Sequence, residues 1–566
     1  MYEQYHRWLE KSNYIEELTA IKGNTAEITE RFYQRIPFGT GGIRGKLGAG
    51  INRINVHTIR LVAEGLARQI AAQGDNAKLR GVVIAYDTRH FSKEFAYETA
   101  GVLASHGIQS YVFSESRPTP ELSFGVRYLA AFAGVVITAS HNPKEYNGFK
   151  VYGEDGAQLT PQIANQIEAY MNDVEDIFEI NSLEKSELPT SGYCVEILDN
   201  LDDSYAQALK KLSLRPTVQK DVSIVYTPLH GAGLVPTMRG LKEFGFTNVH
   251  IVTEQAKQDG EFPTVAYPNP EESVAFKMSI ELGQKVNANL LLATDPDADR
   301  LGVAIWSGDK YKLLTGNQLG ALLLYYILKT HKENGTLPAN AAMIKTIVTS
   351  ELGTMIADSF GVTTINTLTG FKYIAEQIAE FEATGSHTFL FGYEESYGYL
   401  AGDFVRDKDA VQIALLTAEM VAFYKEQNKS LLDALEMLYE QFGYFQEKLI
   451  SFTFDGLQGQ QMISSIMHTF RENQPKYFAD IEVIRFEDYQ SGQVKGKEAI
   501  LALPKADVLK YILKDGSWIC IRPSGTEPKC KFYIGVRNEN EATAHQTIQQ
   551  IEQSLQALLA KLIAPI

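Results

Sequence analysis

Cysteine is scarce in this sequence. Its 566 residues include three, Cys194, Cys520 and Cys530. They follow no metal-binding spacing, and an odd count argues against a disulfide framework, so a reducing compartment is expected. Positive charge is in deficit too: 53 Lys and Arg stand against 69 Asp and Glu, a net charge of −16. A general nucleic-acid or membrane-surface binder needs a basic footprint, so neither partner is expected. A small anionic ligand needs only a local cluster of cations and stays open. Long apolar runs are missing. The segment 319–328 is too short to cross a bilayer and reads as a core helix. Met1 to Arg7 contain no apolar core of a signal peptide, so a soluble, cytoplasmic protein is expected.

What is present is ample hydrophobic sequence, 45%, enough for several packed cores. At roughly 150 residues per domain the length suggests about four domains. Before about Arg35 an amphipathic helical pattern uses Tyr5, Trp8, Leu9, Ile15 and Leu18 as apolar anchors. Next, Gly39, Gly41, Gly42 and Gly45 surround Arg44. Backbone there can approach a ligand closely, and Arg44 can hold a phosphate with its planar fork, although a plain linker has the same composition. Buried strands are read at 82–86, ending in Asp87-Thr88-Arg89, and at 133–137, which runs into Thr138-Ala139-Ser140-His141-Asn142-Pro143. Pro143 forbids a regular ladder and turns the chain. The acidic stretch Asp173 to Gly192 reads as an exposed connection near a domain edge.

The strand pattern restarts at 222–226 and again at 343–348. A strand at 290–293 ends in Thr294-Asp295-Pro296-Asp297-Ala298-Asp299-Arg300, and one at 388–391 in Gly392-Tyr393-Glu394-Glu395-Ser396. Three segments therefore each drive a buried strand into a polar loop. Alternating strands and helices imply mostly parallel sheets. The remainder differs: strands at 517–521 and 531–536 flank Arg522 to Lys529, and a helix follows over 541–562. The expected fold is α/β: three related α/β domains with mostly parallel mixed sheets at 1–205, 206–325 and 326–440, then a smaller α+β domain at 441–566.

Each loop carries chemistry. Ser140, at the carboxyl end of a buried strand, can carry a phosphoryl group, and Lys150 returns close to it. Asp295, Asp297 and Asp299 stand at i, i+2 and i+4. Extended geometry would place them on one face, and a turn at Pro296 can gather them around Mg²⁺. An Asp-rich surface turn is the alternative, and the offsets of an EF-hand are absent. Arg522, Ser524, Gly525, Thr526 and Lys529 have the make-up of a phosphate cradle without the ending of a P-loop. Glu394 and Ser396 suit sugar hydroxyls. Lys408 is a proton-transfer group or a surface Lys. His141 can polarise Ser140, and His141 and His230 can equally satisfy backbone groups; no Ser-His-Asp order follows from spacing.

In order, these four loops resemble those of the α-D-phosphohexomutase family, the phosphoglucomutases and phosphomannomutases. The resemblance covers nearly the whole chain and implies a heart-shaped set of four domains. Ser140 matches the phosphoserine, the three Asp with Ser140 the metal site, Glu394 and Ser396 the sugar loop, and Arg522 to Lys529 the phosphate loop. It further implies roles for Arg44 and Lys150 near the phosphoserine, for Lys408 in proton transfer, and for the Thr369-Gly370-Phe371-Lys372 turn in orienting the sugar. The implied activity is glucose 1-phosphate to glucose 6-phosphate with Mg²⁺ and a glucose 1,6-bisphosphate primer. Alternatives are a phosphopentose or mannose phosphate substrate, a metal-dependent phosphatase, or a non-catalytic sugar-phosphate binder. One departure is Ala410, where many relatives carry Gly.

Overall fold

The structure is a computed structural model that describes residues 1–39, 41–454, 456–495, 503–524 and 529–563. Its first sheet is built from β1 (Gly42–Lys46), β2 (Val82–Tyr86), β3 (Ser110–Phe113), β4 (Ala133–Ile137), β5 (Tyr146–Tyr152) and β6 (Cys194–Ile197), in the spatial order β1-β5-β4-β2-β3-β6. β2 is parallel to β3 and β4, whereas β5 runs antiparallel to β4. Side chains alternate across the sheet. Val83, Ala85 and Val136 enter the large core shared with the rest of the molecule. Val82, Ile84, Tyr86, Val135 and Ile137 enter a second core that includes the amino-terminal helices. A strand covered on both faces has no polar side, which is why β2 and β4 read as continuous apolar runs.

The second sheet comprises β7 (Ile224–Thr227), β8 (Val249–Ile251), β9 (Leu290–Thr294), β10 (Leu301–Trp306) and β11 (Tyr311–Leu313). The third comprises β12 (Ala341–Thr346), β13 (Thr363–Thr367), β14 (Thr388–Glu394) and β15 (Gly398–Leu400). Both repeat one arrangement from the first sheet: β3-β2-β4-β5, β8-β7-β9-β10 and β13-β12-β14-β15. In each, three parallel strands are followed by a fourth running antiparallel. The turn from the third strand to the fourth carries Ser140 in the first sheet, Asp295 to Asp299 in the second and Glu394 to Ser396 in the third. The repeat expected from the sequence is therefore a repeat of topology, and it puts one polar turn at the same place in each unit.

The fourth sheet holds β16 (Tyr444–Thr453), β17 (Tyr477–Phe478), β18 (Ile481–Asp488), β19 (Gln493–Lys495), β20 (Leu509–Leu513), β21 (Trp518–Pro523) and β22 (Lys529–Asn538), and its pairings are antiparallel among the described residues. The helix Glu541–Ile563 covers it through Ile548, Ile551 and Leu555.

Several expectations need correction. The segment after Asp173 is exposed over much of its length but is pinned down at four points. Val174, Ile177, Ile180 and Leu188 are buried against the first domain, and β6 continues its sheet. Part of the Gly-rich stretch around Arg44 is strand rather than loop. β1 pairs with β5 so closely that a Cβ on Gly42 would meet the Phe149 carbonyl at 2.1 Å. Ile15 is exposed rather than an anchor. The helix Ala410–Glu426, late in the chain, packs onto β9 and β10 of the second sheet. It is buried nearly all round, so its hydrophobicity gives no stripe from which to tell its owner.

Candidate active site

Ser140 stands immediately after β4 in the left-handed backbone region, φ 52°. For a residue with a Cβ this conformation costs free energy and must be held by its surroundings. Two groups hold it. The Thr138 hydroxyl accepts from the Ser140 amide at 2.8 Å and itself donates to Asp87 at 2.7 Å. Arg89, fully buried, donates to the Ser140 carbonyl at 2.5 Å, to Pro143 at 2.8 Å, to Tyr146 at 3.0 Å, and to the carbonyl of Asn142. The loop cannot make a ladder across Pro143, so one guanidinium satisfies its carbonyls instead.

The Ser140 hydroxyl leaves its own domain. It donates to Asp295 Oδ2 at 2.6 Å, and its Oγ lies 3.2 Å from His141 Nδ1. Asp295, Asp297 and Asp299 converge from the β9–β10 turn, each offering an oxygen within 4.8 Å of the others. They are gathered by a tight turn and not by an extended strand. Asp295 Oδ1 accepts from the amides of Asp299 at 3.1 Å and Arg300 at 3.0 Å. All three are buried. Lys150 lies 2.9 Å from Asp297 and 3.7 Å from Asp299. Lys408 is no surface residue: its ammonium sits 3.1 Å from both Asp299 and Asp407. Ala410 begins the helix that Asp409 caps, with no left-handed backbone, so Ala serves there as well as Gly. Arg44 donates to Asn142 Oδ1 at 3.0 Å, beside Ser140.

This crowding sets the protonation states. Burial, then the charges of Asp297 and Asp299, push Asp295 well above the usual carboxylate range. Asp297 is driven the other way: burial opposes ionisation, but the Lys150 ammonium overcomes it. Burial also opposes the charge on Lys408, and Asp299 and Asp407 restore it, far above the ordinary lysine value. His141 is held well below its ordinary value by burial and by Arg300 and Arg44, so it is neutral near pH 7. Asp297 Oδ1 and Asp299 Oδ1 are buried and accept no hydrogen bond among the described residues. Three hard carboxylate oxygens in one pocket, two with no donor, fit a divalent cation.

Profiles of one family match this chain in four consecutive blocks. They are described as phosphoglucomutase/phosphomannomutase alpha/beta/alpha domains I, II and III, at residues 35–177, 203–308 and 315–442, and the C-terminal domain, at 475–552. The chain belongs to the phosphoglucomutase/phosphomannomutase family. A phosphoglucomutase of Staphylococcus haemolyticus is 41% identical over 523 residues, 91% of this chain and 93% of that protein. One from Staphylococcus aureus is 39% identical over 544 residues, 94% and 95% of the two chains. Among solved structures, the Paramecium phosphoprotein parafusin, a phosphoglucomutase in open form, aligns with a TM-score of 0.64 at 18% identity, over 93% of this chain and 94% of that one. A phosphoglucomutase/phosphomannomutase family protein from Burkholderia thailandensis gives 0.64 at 18%, over 92% and 97%. At those identities the two structures speak for the fold.

In this family member the third domain supplies a second cluster. Glu394 Oε1 accepts from the Gly370 amide at 2.9 Å, which joins the Glu394 turn to the Thr369-Gly370 turn. Thr369 Oγ1 and Lys372 Nζ are buried without hydrogen-bond partners among the described residues, and Ser396, two residues after Glu394, is half-buried. Unpaired buried donors are costly and call for a ligand or water. In the fourth domain Arg522 leans on Tyr533, with Nε 3.4 Å from its hydroxyl; burial opposes its charge, but Tyr533 and then Glu395 on the third domain's turn outweigh it and raise its pKa. The Ser524 amide donates to the Lys529 carbonyl at 2.7 Å and closes that loop. Gly525 and Thr526 lie outside the described residues.

His230 proves structural. Its ring nitrogens meet the Lys257 carbonyl at 2.8 Å and the Thr264 hydroxyl at 2.9 Å. Sequence reasoning missed four groups at the site: Asp87, Arg89, Thr119 and Asp407. Thr119 donates its hydroxyl to Asp297 Oδ2 at 2.9 Å, and Asp407 accepts from Tyr152 at 2.7 Å. The one available signal was the charged pair Asp87 and Arg89 closing a wholly apolar strand.

Proposed function

We propose that this chain is a phosphosugar mutase that interconverts α-D-glucose 1-phosphate and glucose 6-phosphate, with glucose 1,6-bisphosphate as primer. The observation that carries the reading is Ser140 Oγ, 2.6 Å from a carboxylate of a buried Asp triad supplied by another domain. Phosphorylated Ser140 donates to a free sugar hydroxyl. The sugar oxygen bonds to phosphorus, the bond from phosphorus to Ser140 Oγ breaks, and a sugar bisphosphate forms. The proton lost by the hydroxyl is recovered on Ser140 Oγ. Neutral His141, with Nδ1 at 3.2 Å, is positioned to relay it. Lys408, charged between two carboxylates, orients and offsets charge in this state rather than accepting a proton. Asp295, Asp297, Asp299 and the oxygen on Ser140 would hold Mg²⁺, which would offset charge on the transferring group.

Arg44 and Lys150 face the negative charge at the phosphoserine. Glu394, Ser396 and the Thr369-Gly370 turn receive sugar hydroxyls. Arg522, Ser524, Gly525, Thr526 and Lys529 grip the phosphate that is not reacting. The bisphosphate then turns end for end and returns its other phosphate to Ser140. A water-poor cleft protects the phosphoserine. Sugar phosphates are the partners and the cytoplasm is the location under this reading. Among the described residues no helix is long and apolar enough to cross a membrane. The test is product analysis with glucose, mannose and pentose 1-phosphates, each with its bisphosphate. Isomerised glucose phosphate with the highest kcat/KM supports the reading. Free phosphate as the main product refutes it in favour of a phosphatase, and a higher kcat/KM for another sugar moves the substrate.

A further inference from the structure

The guanidinium behind Ser140 has a second face. Phe262, from the second domain, lays its ring against Arg89, 5.0 Å from the guanidinium carbon to the ring centroid. The adjoining residues follow. Glu261 accepts from Lys144 at 2.6 Å and meets His90 Nε2 at 2.8 Å, so it bridges both ends of the structure around Arg89. Gly260 lies so close to the first domain that a Cβ would sit 2.7 Å from the His90 amide nitrogen. The base of this segment is tied down by His230, through Lys257 and Thr264. Arg89 itself is anchored by Asp87, 3.3 Å away, with both side chains fully buried.

We infer that Arg89 is a positioning residue for phosphoryl transfer, and that Gly260-Glu261-Phe262 is the abutment against which it holds the Ser140 loop. The inference rests on the phosphoserine reading above. Arg89 touches neither the Ser140 hydroxyl nor the Asp triad; it donates to carbonyls of Ser140, Asn142, Pro143 and Tyr146. The second domain carries both the abutment and the triad. Its placement against Arg89 therefore sets the distance between Ser140 Oγ and Asp295. Only a planar fork reaches four carbonyls while presenting a flat face to a ring; an ammonium cannot do both. Misplacing a reacting group by about 1 Å costs about a hundredfold in rate.

The experiment uses the full chain, with Arg89→Lys, Arg89→Ala and Phe262→Leu, read by steady-state kinetics, rapid-quench transfer from Ser140 and circular dichroism. The expected result is a kcat about a hundredfold lower for Arg89→Lys with KM within about threefold, and recovery of Arg89→Ala by added guanidinium ion. Phe262→Leu, which keeps apolar packing, should lower kcat about tenfold with the same split. Wild-type kcat in Arg89→Lys, or a loss that falls on KM, overturns the inference while leaving the mutase reading intact. If both Arg89 variants fail to fold, a Phe262→Leu enzyme with wild-type kcat overturns it. A wild type that never carries phosphate on Ser140 refutes both.

Discussion

Thr119→Val is a sharp test of the proposed metal site because it changes one hydroxyl and little shape. Thr119 is fully buried in the first domain, and its Oγ1 donates to Asp297 Oδ2 at 2.9 Å. Its amide also donates to the Asp297 carbonyl at 2.9 Å, and that bond survives the substitution. A hydrogen bond to a charged group is worth about 1.5–3 kcal/mol. Asp297 Oδ2 keeps Lys150 at 2.9 Å, which places the loss near the lower end, about 1.5 kcal/mol. That is about tenfold in an equilibrium constant. Without Thr119 the carboxylate turns more freely and its oxygen is poorly held for a cation. The assay is mutase rate against Mg²⁺ concentration. Half-saturating Mg²⁺ should rise about tenfold in Thr119→Val, kcat at saturating Mg²⁺ should largely recover, and Thr119→Ser should restore the wild-type curve. A folded Thr119→Val enzyme with an unshifted Mg²⁺ dependence refutes the reasoning.

Ser140→Ala should cut turnover by more than about a thousandfold and abolish phosphate incorporation at an unchanged melting temperature; an active variant sinks the phosphoserine. Arg522→Ala should cost about tenfold to a hundredfold in kcat/KM and release bisphosphate into solution, since the grip after the turn is lost; wild-type isomerisation without leakage disproves the clamp. His57 gives a pH prediction away from the site. Burial, then Arg60, lowers its pKa from 6.5 to about 4, amid Trp8, Tyr14 and Phe178, and neither ring nitrogen has a partner among the described residues. The unfolded segment binds the proton more readily, so stability is present above pH 6.5 and is lost as pH falls towards 4. By pH 5 the loss is about 2 kcal/mol unscreened, and about 1 kcal/mol is expected for a partly exposed ring. Hydrogen-exchange protection over Tyr2–Lys11, corrected for the intrinsic exchange rate at each pH, should fall between pH 7 and 5 in wild type but not in His57→Phe; an equal fall in both removes His57 as the cause.

The strands 82–86 and 133–137 were legible to the residue, and the helix from Glu541 nearly so. Apolar β-branched runs suit few structures besides a strand covered on both faces. β1 and β6 were not legible. They are short and mixed in polarity, and they exist because a neighbour's edge pairs with them. The partner of the helix Ala410–Glu426 was not legible either: it is apolar nearly all round and packs on a sheet from an earlier segment.

Residue types alone point to the candidate chemistry. A serine after a buried strand, three spaced aspartates, a glutamate turn and a cationic loop are local strings, and backbone chemistry makes each string a turn at a strand's end. What tertiary structure alone decided is who faces whom. Ser140 meets Asp295 from 155 residues away, and Thr119 meets Asp297 from 178. Lys408 became a buried cation and His230 a structural tie held at both ring nitrogens, though both stand in polar loops like the rest. Such pairings depend on how whole sheets pack, and burial then shifts each pKa by removing water. Neither packing nor dehydration leaves a mark within the few residues that surround a side chain in sequence.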